Sequence, residues 1–179
     1  MMIFRSFQTS LLILLFSSLF VIASETNEKQ IETKRSGYWT YYCKDYEKER
    51  QCEIARKINI KQQNETFLIV YKITKNLNAK VKESLHIKTP LAPRVNIKKR
   101  LKISFDDKTK FTRSFLECED KGCLAVFKSY RILKYSMKNF NKMKITFYGF
   151  EDEEPISLTL SMNGFIQALD DINQQLKSF

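Results

Sequence analysis

Apolar and polar residues alternate with a period of two along most of the chain between residues 38 and 160. This alternation is typical of β-strands that bury one face. Strands are predicted at 38–43, 52–60, 66–74, 85–87, 101–105, 111–118, 123–127, 143–147 and 156–160. Most of them follow one another directly through short polar turns, so the pattern predicts a mainly β fold, an antiparallel sandwich or barrel.

The strand predicted at 66–74 differs from the others because it is apolar at both parities near its start. The segment reads TFLIVYKIT. Residues of both parities are apolar where a strand has both faces covered. We therefore expect this strand to be buried on both sides.

Helical spacing of apolar residues occurs in only two places. A short helix near 129–139 is predicted from the shared face of Ile132, Leu133, Met137 and Phe140. A C-terminal amphipathic helix near 163–177 is predicted from spacings of four, three and four between Phe165, Leu169, Ile172 and Leu176.

The first 23 residues have the composition of a secretory signal peptide. A single positive charge, Arg5, precedes an apolar run at 11–22, and Ala23 provides a small residue for cleavage. The run is shorter than the ~20 apolar residues that a transmembrane helix needs, so no membrane span is expected after cleavage. We interpret 1–23 as the signal peptide, 24–36 as a flexible polar lead-in and 37–179 as one domain.

The four cysteines, Cys43, Cys52, Cys118 and Cys123, form an even set in a chain predicted to be exported. In an oxidising compartment such a set indicates disulfides. Each sequence-adjacent pair flanks a polar loop between two predicted strands, so local pairing is favoured over the two crossed connectivities, which stay open. Each closed loop should stabilise the domain by about 2–3 kcal/mol.

Two chemical alternatives for the cysteines are weaker. Thiol oxidoreductases place C-x-x-C at the start of a helix, whereas these pairs are wider and lie among strands. Four-cysteine zinc sites have two closely spaced pairs, and the first pair is too widely spaced for that arrangement. No metal site and no cofactor are therefore predicted.

The charge balance points to anionic partners. The chain has 31 Lys+Arg against 20 Asp+Glu and a formal net charge of +11. The candidate binding patch is the acid-free segment that contains Arg94, Lys98, Lys99, Arg100 and Lys102. On a strand, Lys98, Arg100 and Lys102 would share one face. The alternative is a charged edge strand that resists aggregation, with the other lysines serving solubility.

No catalytic constellation can be assembled from the sequence. His86 is the only histidine and has the opposite parity to its apolar neighbours Leu85 and Ile87, so it is expected to face solvent. The paired carboxylates at 106–107 and 151–154 fall in predicted turns, where acids are normally solvated. The chain is therefore predicted not to be an enzyme, with a thiol-redox or enzyme-accessory role as the alternative.

Two motifs in this chain are characteristic in their order and spacing. The first is C-x-x-x-G-C-x-A, from Cys118 to Ala125, and the second is S-x-x-G-F-x-x-A-L, from Ser161 to Leu169. Trp39, Cys43 and Cys52 precede them. Over residues 37–176 the chain resembles the invasion-associated locus B family of exported proteins from Gram-negative, mainly alphaproteobacterial, bacteria. The glycines that the family usually has around its proline segment are missing at 91–96.

The resemblance implies an immunoglobulin-like antiparallel β-sandwich located in the periplasm or cell envelope, associated with the outer membrane, or secreted. It implies a structural role for the four cysteines and no active site. The founding members are linked to entry into host red blood cells, which makes virulence an expectation. The expected partner is an envelope or host macromolecule, such as an anionic glycan or lipid surface, and no specific nucleic acid is expected.

Overall fold

Eleven strands and two helices make up the part of the chain that the computed structural model describes, residues 32–60, 65–90, 95–119, 122–129, 131–149 and 154–179. The strands are β1 Lys34–Ser36, β2 Trp39–Asp45, β3 Glu49–Ile60, β4 Glu65–Asn76, β5 Val81–Thr89, β6 Leu101–Phe105, β7 Thr109–Arg113, β8 Glu117–Glu119, β9 Gly122–Lys128, β10 Lys142–Tyr148 and β11 Pro155–Ser161. The helices are α1 Arg131–Asn139 and α2 Phe165–Lys177.

The strands form two antiparallel sheets. The larger sheet has seven strands in the order β1-β2-β3-β4-β5-β9-β8, and the smaller has four in the order β11-β10-β6-β7. Five consecutive strands of the larger sheet therefore pair with their sequence neighbours, as short hairpin connections favour. The predicted antiparallel sandwich with two helices is confirmed.

The core consists of the side chains that both sheets point inward, together with one face of α2. Phe165, at the start of α2, is fully buried. Its ring meets Trp39 edge-on at a centroid distance of 5.2 Å and Tyr71 at 5.6 Å. Aromatic pairs in this geometry add to the stabilisation that burial provides. The C-terminal helix is thereby anchored against the inner face of the seven-stranded sheet.

Three side chains of the larger sheet also bind α2 through polar contacts. Tyr41 donates a hydrogen bond to Asp171, and this bond is the main reason that the pKa of Tyr41 rises to about 12. Arg50 Nη1 donates to the carbonyl of Gln175 at 2.6 Å. Lys75 Nζ donates to the carbonyl of Leu176, also at 2.6 Å. Cations that bind the last carbonyls of a helix satisfy acceptors that have no partner within the helix.

Glu83 on β5 joins the sheet to α1. Its carboxylate accepts hydrogen bonds from Tyr71 Oη at 2.8 Å and from Ser129 Oγ at 3.3 Å, and it forms an ion pair with Lys134 of α1. Burial is the largest cause of a raised pKa at Tyr71, so this phenol stays protonated as a donor. The short helix is therefore fastened to the sheet by a polar cluster as well as by its buried Leu133 and Met137.

Several element boundaries differ from the sequence predictions. The predicted strand 111–118 is two strands, β7 and β8, because the chain crosses from the smaller sheet to the larger one at 114–116. The predicted lead-in 24–36 ends in strand β1, which pairs with β2. The predicted signal peptide and residues 24–31 lie outside the described residues. Helix α2 begins at Phe165, after Gly164, whose φ of 91° is not helical.

The expectation that the strand at 66–74 is covered on both sides is wrong. Ile69, Tyr71 and Ile73 face the core and are fully buried. Leu68 and Val70 face outward and are only half-buried. No described element of the chain covers that outer face, since both helices and the second sheet pack elsewhere.

Candidate functional site: a cationic face on the four-stranded sheet

The cysteines are bridged locally, as predicted. Cys43 lies opposite Cys52 across β2 and β3, and Cys118 lies opposite Cys123 across β8 and β9. In each pair the Cα atoms are 4.0 Å apart. No cysteine is free, and the described residues contain no group of three His, Cys, Asp or Glu side chains that could hold a metal ion.

Apart from Pro155 at its rim, the outer face of the four-stranded sheet carries lysines and hydroxyl-bearing side chains. Inward positions of β6, β10 and β11 hold aliphatic and aromatic residues, and those of β7 hold Thr109, Phe111 and Arg113, whereas the alternate positions face solvent. We define the cationic face as the outward residues Lys102, Ser104, Lys110, Thr112, Lys142, Lys144, Thr146, Tyr148, Ser157 and Thr159. None of the four strands contains an aspartate or a glutamate.

Strand register places the lysines of different segments close together. Ser104 lies between Lys144 on one neighbouring strand and Lys110 on the other. Lys102 lies between Thr146 and Thr112 in the next row. Neighbouring strands are about 4.8 Å apart, so Lys110 and Lys144 have backbones about 10 Å apart. The face thus presents rows in which ammonium groups alternate with hydroxyl donors.

A carboxylate borders this face at the start of β10. Asp106, in the turn between β6 and β7, accepts hydrogen bonds from the backbone N–H groups of Asn141 at 3.1 Å and Lys142 at 2.9 Å. Its charge is therefore directed at the start of β10. The acidic residues 151–153, in the connection between β10 and β11, lie outside the described residues.

The predicted basic patch joins the cationic face at one end. Lys102 is part of the face, and Lys99 places its ammonium 4.2 Å from the ring centroid of Tyr148. The expectation that Lys98, Arg100 and Lys102 share one strand face is wrong for the first two, because 97–100 is a turn and β6 begins only at Leu101. Lys98, Lys99 and Arg100 are exposed in that turn. Arg94 lies outside the described residues.

The sequence interpretation missed Lys110, Lys142 and Lys144. Each stands alone between uncharged residues or at a strand end, so no local run of basic residues marks it. The pattern that could have identified these lysines is their alternation with inward apolar residues of the same strand. Parity assigns a side chain to a face but not to its neighbours on other strands.

These features define a class of protein, a disulfide-bridged antiparallel β-sandwich with a C-terminal helix packed on its larger sheet. Residues 39–173 match the family model described as Invasion associated locus B (IalB) protein. The chain belongs to this family, and the resemblance inferred from its motifs is confirmed.

A solved structure supports the fold assignment. The crystal structure of invasion associated protein B from Bartonella henselae superposes with a TM-score of 0.68 and 19% identity, covering 82% of this chain and 98% of that chain. A likeness at this identity shows a shared fold. The comparison with curated proteins finds no match. Within the described residues, neither helix is long and apolar enough to cross a membrane.

Proposed function

We propose that this chain is an exported, non-enzymatic protein of the periplasm or cell envelope that binds an anionic glycan through its cationic face. The observation that carries the proposal is the acid-free set of four lysines, Lys102, Lys110, Lys142 and Lys144, on one sheet. Clustered positive charge on a protein surface attracts polyanions and raises their rate of association.

The composition of the face favours an extended glycan as the partner. An exposed ion pair contributes little alone, about 0.2–1 kcal/mol, so useful affinity needs several contacts at once. The serine and threonine hydroxyls between the lysines can donate hydrogen bonds to sulfate, phosphate or carboxylate oxygens and to sugar hydroxyls. A flat strand face offers these contacts in a row, which matches a polymer with repeating anionic groups.

Export is supported by the composition of residues 1–23 and by the disulfides, which persist in oxidising compartments. The non-enzymatic part of the proposal is supported by the bridging of all four cysteines. The structurally similar protein from Bartonella henselae is named for its association with invasion. For this chain we propose host-cell invasion only as one setting in which glycan binding would be used.

The test is calorimetric binding of the exported protein to dextran sulfate, with uncharged dextran as the matched ligand. The variant K102Q/K110Q/K144Q removes three charges from the cationic face. The control K48Q/K80Q/K177Q removes the same charge from exposed lysines elsewhere. We expect the face variant to bind about tenfold more weakly, as three contacts of ~0.5 kcal/mol each would give, and the control to bind nearly as the wild type does. Wild-type binding should weaken as salt rises.

If both variants weakened binding to dextran sulfate equally, net charge alone would explain the affinity, and this result would overturn the proposal. So would salt-independent binding or binding of uncharged dextran. Anionic phospholipid vesicles provide the remaining comparison. If the protein bound the vesicles and not dextran sulfate, the partner would be a lipid surface and the glycan assignment would be wrong.

A further inference from the structure

A strip of aliphatic side chains crosses the outer face of the seven-stranded sheet. Val70 on β4 lies opposite Ala55 of β3 on one side and His86 of β5 on the other. Leu68, two residues along β4, lies opposite Lys88, which in turn lies opposite Leu124 of β9. Antiparallel sheets that cover a core on one side normally present polar residues on the other.

These side chains line a shallow groove. Its volume is about 200 Å³, and its floor is formed by Leu68, Val70 and Leu124. All three are half-buried although they face away from the core. Sites for drug-sized ligands measure about 300–1,000 Å³, so this groove takes a smaller molecule or one segment of a larger one.

The groove also carries positive charge. Lys72 and Lys88 line it, with Val70 and His86 paired between them. Among the described residues neither lysine forms an ion pair. Glu53 is the carboxylate in the lining, and its oxygens already accept hydrogen bonds from Tyr42 Oη at 2.7 Å and Gln51 Nε2 at 2.8 Å.

His86 adds a neutral polar group at the centre of the groove. It is half-buried and bonds through Nε2 to Ser84 Oγ at 2.8 Å. Burial is the largest cause of a lowered pKa at His86, and the nearby Lys72 is the second. Glu53 opposes the shift. The imidazole is therefore uncharged at neutral pH, and the lysines provide the positive charge.

We propose that this groove binds a single-chain amphiphile with one anionic head group. The hydrocarbon chain packs on Leu68, Val70 and Leu124, and the head group binds the ammonium of Lys88, whose backbone lies between Leu68 and Leu124. Lys88 is the better anchor because Glu53 lies directly opposite Lys72 across β3 and β4. The chain replaces water over the apolar floor, and a groove of about 200 Å³ suits a single chain. A carboxylate and a phosphate monoester share the chemistry that this anchor recognises.

The experiment is a titration of the 15N-labelled exported protein with decanoate and decyl phosphate below their micelle concentrations and with decanol below its solubility limit. We expect saturable shifts of the Leu68, Val70 and His86 amides with decanoate or decyl phosphate, and weaker binding of decanol, which has no charge. Whichever anion binds more tightly identifies the head group.

Two variants separate the contributions of charge and chain. Lys88→Gln should weaken binding of the anion about twofold to fivefold, as the loss of one charge contact of about 0.5–1 kcal/mol predicts, and should leave decanol unchanged. Val70→Thr keeps a β-branched side chain and should weaken all three ligands. Lys144→Gln, on the other sheet, removes the same charge and should have no effect.

The proposal is wrong if the shifts centre elsewhere, if they do not saturate, or if decanol binds as tightly as the anions. Equal effects of Lys88→Gln and Lys144→Gln would also overturn it. The proposals for the groove and for the cationic face can be rejected independently of each other, because K102Q/K110Q/K144Q leaves the groove intact.

Discussion

Gly164 lies directly against the backbone of Ser36, and a β-carbon at position 164 would be 2.0 Å from the Ser36 carbonyl oxygen. The φ of Gly164 is 91°, a conformation that side-chain-bearing residues rarely adopt. The approach brings the start of α2 beside β1, and Tyr38 N–H donates to the Asn163 carbonyl at 3.4 Å. This close approach explains why the second sequence motif has a glycine at position 164.

Replacing Gly164 with alanine should destabilise the domain by more than about 2 kcal/mol, because the methyl group clashes with backbone and the positive φ is strained. Trp39 is the only tryptophan and is fully buried, so its fluorescence reports unfolding in denaturant. Gln167→Ala, on the exposed side of α2, is the control and should change stability by less than about 0.5 kcal/mol. A Gly164→Ala variant as stable as this control would contradict the close approach.

The two disulfides should differ in their resistance to reduction. Cys118 is exposed on the three-residue edge strand β8, whereas Cys52 is fully buried on β3 and its partner Cys43 is half-buried. Attack by a thiolate needs access to a sulfur, so a strong reductant should open Cys118–Cys123 first. Trapping of thiols in the native protein, followed by peptide mapping, measures the order.

Glutathione distinguishes the structural role from the thiol-redox alternative. A structural pair should stay bridged in the native protein at glutathione potentials. Ready exchange of either pair under those conditions would favour the redox alternative over the proposed binding role.

Removal of the two bridges should also lower the free energy of unfolding by different amounts. The closed segments have sequence separations of 9 and 5, for which the chain-entropy model gives about 2–3 kcal/mol in both cases. Each double variant removes one buried sulfur, at Cys52 or Cys123, but Cys43 also packs against the core whereas Cys118 is exposed, so C43A/C52A should lower the free energy of unfolding by more than C118A/C123A does. Urea unfolding of the two double variants measures the difference, and the reverse order would contradict the burial argument.

His86 should make the folded state less stable in mild acid. Burial and Lys72 lower its pKa below the ordinary value of 6.5, so the unfolded chain takes up a proton that the native protein does not. The stability contribution is fully present above about pH 6.5 and is lost as pH falls through the native pKa.

Two measurements test this behaviour. The C2–H resonance of His86 should titrate below pH 6.5 in the native protein. Urea unfolding at about pH 7 and about pH 5 should show a larger loss of stability in the wild type than in His86→Gln, which has no titrating group at this position. Titration at or above the ordinary pKa would refute the effect of burial.

Much of the fold was predictable because its signals are local. Alternation at 101–105 and 143–147 identified strands whose inward residues are buried as expected. The spacing of Phe165, Leu169 and Ile172 identified α2 to within two residues of its start. Local disulfide pairing followed because each pair of cysteines flanks one hairpin.

The sequence by itself determined which side chains share a face of each strand, because a period of two is a property of the extended backbone. It also determined the family, through two motifs in which a glycine packs directly against the backbone of another segment. Only the tertiary structure decided which strands are neighbours. That order brings Lys110 and Lys144 to either side of Ser104, and it leaves Leu68 and Val70 on an uncovered face. Strand order and register depend on contacts between distant segments, so local patterns do not contain them.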